Sequence, residues 1–275
     1  MSLIRSLGVA WWACKGPLRL GRDLSTWTSL TVLTIVRSFV LLLLMLFHRP
    51  ELVTAGKPLV TALGGPESTH YPTHLLELPV MFARIDLLVI VAVGTVAITL
   101  TVRSFANHYI TRHARGSTLG SVLHVLLVVG LLLALQFGVD RLFLLLPEAL
   151  QERGGKLGVA LLGVRLGAMA LLGTFLLYAV AEAGLGAPAW RAVGRSYGIA
   201  STEPIGSFVL VAIWAAVTLP FAALVGPVGT DRVAAHPEAF ALIVFLRLLA
   251  ELFLLHLLLG ASTRIVIWKR AEARL

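Results

Sequence analysis

Six apolar runs, set apart by short polar connectors, decide what this chain can become. They fall at roughly 27–47, 79–102, 120–146, 157–181, 205–225 and 239–262. Each has the length to cross a bilayer as a helix, the geometry that satisfies every backbone N–H and C=O inside hydrocarbon. With 58% hydrophobic and 13% charged residues over 275 positions, no polar block is large enough for a separate domain. Mean hydropathy is +0.90, far above a soluble domain. The expected fold is an all-α polytopic membrane protein: one domain over 1–275, a bundle of six transmembrane helices.

Residues 2–22 read as an N-terminal interfacial helix with a basic lead-in. Leu3, Ile4, Leu7, Trp11 and Cys14 share one helical face, and a Trp pair suits the headgroup plane. Trp11, Trp12, Lys15 and Pro17 do not make a signal-peptide core. Cys14 has no second cysteine for a disulfide or a thiolate metal cluster. The net charge of +9 sits in connectors between apolar runs rather than in a basic stretch interleaved with aromatics. That pattern argues against nucleic acid and for the positive-inside bias.

Counting bases orients the chain. With both termini cytoplasmic, the inner side holds thirteen: Arg5, Lys15, Arg19, Arg22, Arg103, Arg112, Arg115, Arg191, Arg195, Arg264, Lys269, Arg270 and Arg274. The outer loops hold five: Arg49, Lys57, Arg153, Lys156 and Arg232. The expected location is the cytoplasmic (inner) membrane, multi-pass, N-in and C-in.

Ionisable residues inside the spans are the candidate site. Arg247 and Glu251 lie four apart in the last run, one helical turn from each other. At ~1.5 Å per residue they sit about 12 and 18 Å from the outer end of that span. Arg165 lies at a similar depth in the fourth span, Arg37 near the middle of the first. Arg84 and Asp86 begin the second span, and Asp140 and Arg141 close the third. These are five arginines against three carboxylates. A charge at mid-span costs at least ~2.5–3.5 kcal/mol on insertion scales, so such groups face protein, water or a ligand. The bland reading is helix-locking ion pairs, with Arg84 and Arg141 snorkelling to headgroups. The sharper reading is an outward-facing polar cavity formed by Arg37, Arg165, Arg247, Glu251, Asp86 and Asp140. Its excess guanidinium would take a carboxylate, a phosphate or a lipid headgroup.

Other patterns carry less. Gly163 and Gly167, with Gly130, Ala134 and Gly138, predict a tight hairpin of spans three and four. Residues 48–78 read as the longest loop, broken by several Pro and Gly. Within it His70, His74 and Glu77 have metal-ligand types, but Pro72 between the histidines favours an ordinary amphipathic segment. Pro220 is expected to kink the fifth span. No GxSxG, HExxH, P-loop or dinucleotide fingerprint occurs, and no cofactor is implied.

The interfacial helix, six spans and a basic cytoplasmic connector resemble the layout of permease subunits driven by a separate ATPase. The likeness is one of layout, without a motif of that family. The functional expectation is a non-enzymatic, transport-type or ligand-binding membrane subunit handling an anionic or lipid-like molecule. Its partners would be membrane lipids and a cytoplasmic or membrane subunit. The competing readings are a non-catalytic scaffold of a larger membrane complex and an intramembrane lipid-modifying enzyme.

Overall fold

In the computed structural model, the described residues are 3–47, 49–65, 73–109, 117–144, 156–225 and 236–273, and every regular element among them is a helix. In chain order these are α1 (Leu3–Arg19), a short 3-10 turn (Leu20–Arg22), α2 (Leu24–Met45), α3 (Pro50–Gly64), α4 (Thr73–Val89), a π-helical segment (Ile90–Gly94) and α5 (Thr95–Tyr109). Then follow α6 (Thr118–Leu144), α7 (Lys156–Leu176), α8 (Ala179–Gly184), α9 (Ala189–Thr202), α10 (Pro204–Val225) and α11 (Pro237–Glu272). Six helices among the described residues are long and apolar enough to cross a membrane. The chain is an all-α polytopic membrane protein.

Several elements differ from the sequence reading. Residues 48–78, expected to form a loop, contain α3 and nearly the first two turns of α4. The local signals for α3 are ordinary: Pro50 at the start, Glu51 in the first turn, and Gly65 at φ 89° just past the end. Val60 is buried, and Leu52, Val53 and Gly56 are half-buried on the same face, so packing overrides the helix-breaking tendency of Pro58. The second span continues through its π-helical segment as far as Tyr109, and the last runs ten residues past the expected end, to Glu272. The fourth is interrupted after Leu176. Pro220 lies inside α10.

By contact clustering the chain forms two units. One contains Met1–Thr26, Ile98–Ala215 and Leu257–Leu275, and the other Trp27–Ala97 and Ala216–His256. The core of the second unit is built from matching stripes: Leu41 and Leu44 of α2 with Phe47 just past its end, Val60 of α3, Leu78, Met81 and Phe82 of α4, and Phe240, Val244 and Leu248 of α11. Their spacing of three and four puts each set on one helix face. In hydrocarbon such contacts stabilise through close packing rather than through release of water.

In the first unit, α1 turns its small residues inward. Ser6, Ala10, Ala13, Cys14 and Pro17 are buried, while Leu7, Trp11 and Leu18 are exposed. Leu7 and Trp11 therefore point away from the protein as an interfacial helix requires, but Cys14 does not join them. Burial raises the Cys14 thiol pKa and keeps it protonated. The side chains of Leu3 and Ile4 lie outside the described residues. Gly260 of α11 permits the approach of α1: a Cβ there would stand 2.5 Å from that of Pro17. Helix α8 ends in a Schellman arrangement, with Ala187 N–H donating to the Glu182 carbonyl and Gly186 N–H to that of Ala183, at φ 91° for Gly186.

The expected hairpin also needs correcting. Helices α6 and α7 do pack against each other. However, a Cβ on Gly130, Gly138, Gly163 or Gly167 would meet nothing within 4 Å, so those glycines face outward and do not make the contact.

Candidate functional site

Helix α2 carries Thr31, Thr34, Arg37 and Ser38 as a polar stripe through apolar sequence. Thr34 is buried and returns its hydroxyl to the Leu30 carbonyl at 3.0 Å, which satisfies it within the helix. Arg37 cannot do that. Its guanidinium is too large and too well supplied with donors, so it must find acceptors on other helices.

It finds two carboxylates. Arg37 Nε and Nη2 donate to Asp86 Oδ1 and Oδ2 at 2.6 and 2.7 Å, a bidentate fork across to α4. Arg37 Nη1 donates to Glu251 Oε2 of α11 at 2.8 Å. The other oxygen of Glu251 accepts from Arg247 Nε at 2.7 Å, one turn back on the same helix. The result is a chain of four charges, Asp86–Arg37–Glu251–Arg247, with no net charge. Arg37, Asp86 and Glu251 retain only 3, 8 and 6% of their exposure. The Arg247 side chain keeps 37%, and among the described residues only its Nε is engaged. Such a dry network holds three helices in register, because losing either partner would strand a charge in low dielectric.

Arg165 and Asp140 belong to the other unit. There Arg165 Nε donates to Asp140 Oδ1 at 2.9 Å, and both side chains are about a third to a half exposed. The six candidate residues therefore divide into a closed quartet and an exposed pair. The guanidinium excess counted from sequence resides in Arg84 and Arg141, both exposed, with Arg141 lying over the Phe137 ring at 4.8 Å. Burial sorts the charges into neutral sets and leaves the extra bases at the periphery.

What sequence reasoning missed lies one turn along α2 from Arg37. Val40 and Leu43 of α2, Phe47 just past its end, Leu52 and Gly56 of α3, and Ile85 of α4 line a cavity of about 250 Å³. Its walls are hydrocarbon, although Ile85 stands directly before the charged Asp86. Helix α3 supplies one wall of that cavity, and reading 48–78 as a loop concealed it. The start and stop residues of α3 were the available signal.

The first unit has buried acids of its own, Glu182 and Glu203. Glu182, on α8, is 1% exposed and accepts from Arg270 of α11 and from Arg195 of α9. Beside it, Tyr178 and Ser207 share a hydrogen bond of 2.8 Å, and the Tyr178 N–H donates to the Ser196 hydroxyl. The local bases Arg195 and Arg270, counted from sequence only for orientation, thus also brace α8. Of the suggested metal ligands, His70 and the side chain of His74 lie outside the described residues. Among the described residues, no three His, Cys, Asp or Glu side chains are grouped to hold a metal ion. No known protein family, curated protein or solved structure matches the chain, and what its own residues establish is an all-α integral membrane protein with six helices of spanning length.

Proposed function

We propose that the protein is a non-catalytic, multi-pass subunit of the cytoplasmic (inner) membrane that accommodates a lipid-like molecule, both termini lying on the cytoplasmic side. The single observation carrying this reading is the cavity of about 250 Å³ walled by α2, α3 and α4. An apolar cavity in a membrane protein is open to acyl chains and offers little to a small hydrophilic anion. The charge quartet points the same way: Arg37 is occupied by Asp86 and Glu251, so its place is in holding helices rather than in meeting a charged ligand. Both Asp86 oxygens are taken by one guanidinium, which makes that carboxylate a poor general base and weighs against lipid-modifying chemistry.

The scaffold reading is favoured by one specific observation, the self-neutralised quartet, which needs no ligand to explain it. Filling the cavity separates the two. Val40→Phe occupies the space without touching the ion pairs. Purified in mild detergent, the wild-type protein is expected to retain a bound lipid by native mass spectrometry. Val40→Phe should carry one lipid fewer than the wild type while keeping the wild-type thermal midpoint. Equal retention in both, or none in the wild type, leaves the scaffold.

A further inference from the structure

The first unit carries a second cleft, of different chemistry. Arg5, Gly8, Val9 and Trp12 of α1 and Trp268 of α11 line a space of about 380 Å³. The two indoles meet edge to face with centroids 5.7 Å apart. Each already carries a cation on one ring face: the Arg264 guanidinium lies 3.9 Å from the Trp12 centroid, and Lys269 Nζ lies 4.4 Å from that of Trp268. Lys269 is matched by Glu272 at 3.0 Å. Arg5 is exposed and has no carboxylate partner among the described residues. Among the described residues, no acidic residue lines the cleft.

We propose that this cleft binds the phosphate of an anionic phospholipid headgroup, with Arg5 as its direct counterion and the two indoles as its walls. The electrostatics select the charge. A choline-type cation would meet the like charge of Arg5, with Arg264 and Lys269 held against the same two indoles, whereas a phosphate meets a guanidinium built for bidentate recognition. The neighbouring side chains select a lipid over a free anion. Leu7 and Trp11, flanking Gly8 on α1, are turned out of the protein, and Leu18 is exposed two turns further along. That hydrocarbon would continue the ligand's acyl chains, and the exposed Lys15 and Arg19 lie on the same helix to attract an anionic leaflet. This inference does not depend on the cavity lined by α3, which belongs to the other unit.

The test compares phosphatidylglycerol with phosphatidylcholine of the same chain length, added to the purified full-length protein in mild detergent and read by native mass spectrometry. Phosphatidylglycerol should be retained about tenfold more tightly, close to 1.4 kcal/mol. Arg5→Gln should remove that preference. Gly8→Phe should block both lipids at this cleft, since a Cβ at position 8 meets nothing within 4 Å and the ring would fill the cleft that Gly8 lines. Lipid held at the Val40 cavity should be unchanged in both variants. Equal retention of phosphatidylcholine would overturn the proposal, as would wild-type binding by Arg5→Gln and Gly8→Phe. Full displacement of phosphatidylglycerol by millimolar inorganic phosphate would also overturn it, by making the site one for free anion.

Discussion

Arg37 commits three nitrogen donors to two carboxylates on two other helices, and little of it reaches the surface. Its neighbour in the network, Arg247, contributes one donor and stays more than a third exposed. Substitution should therefore separate them. Arg37→Leu leaves Asp86 without its partner among the described residues and should cost about 3–5 kcal/mol. Arg247→Leu leaves Glu251 still held by Arg37 and should cost about 1 kcal/mol or less. The double variant Arg37→Leu/Asp86→Leu removes charge and countercharge together and should recover much of the single-site loss. Thermal unfolding in detergent checks all three. Equal midpoints for Arg37→Leu and Arg247→Leu would mean that the quartet does not hold the helices.

At the scale of an element, the start of α2 shows how a local cap meets a tertiary contact. Asp23 immediately precedes the helix, and its Oδ1 accepts the Ser25 N–H at 2.9 Å, while its other oxygen meets His108 of α5. The Ser25 backbone bond is the largest cause holding the Asp23 pKa below its ordinary value, with His108 contributing less. A carboxylate whose pKa is lower folded than unfolded stabilises the fold above its unfolded pKa. That contribution is lost as pH falls through the lowered folded value. The thermal midpoint of Asp23→Ala should therefore lie below the wild type at neutral pH. The gap should close on acidification below the usual carboxylate range. A gap that stays constant into strong acid would show that the charge on Asp23 is not what stabilises α2.

For the whole molecule, the proposed reading of six spans puts both termini on one side, the cytoplasmic side that the bias of basic connectors favours. Reporter fusions should respond accordingly: a cytoplasm-dependent fluorophore is active at either terminus, and a periplasm-dependent phosphatase is active when inserted near residues 66–72, 145–155 or 226–235. Phosphatase activity at the C-terminus would reverse the orientation. Span number was legible in the chain because crossing a membrane is a requirement on local length and apolarity, satisfied run by run. Arg247 and Glu251 were legible as a pair for the same reason, since helical spacing alone brings them together. The union of Arg37 with Asp86 and Glu251 was not, because it depends on how α2, α4 and α11 are rotated about their axes. Nor was the separation of Arg165 and Asp140 from that set. The outward turn of Gly130 and Gly163 shows the same limit: a small-residue stripe records that close approach is allowed, not that a neighbour uses it. The sequence by itself determined an all-α chain with spans of bilayer length. Only the tertiary structure decided which charges neutralise one another and where space remains, because both follow from helix rotation and from α3 closing over α2.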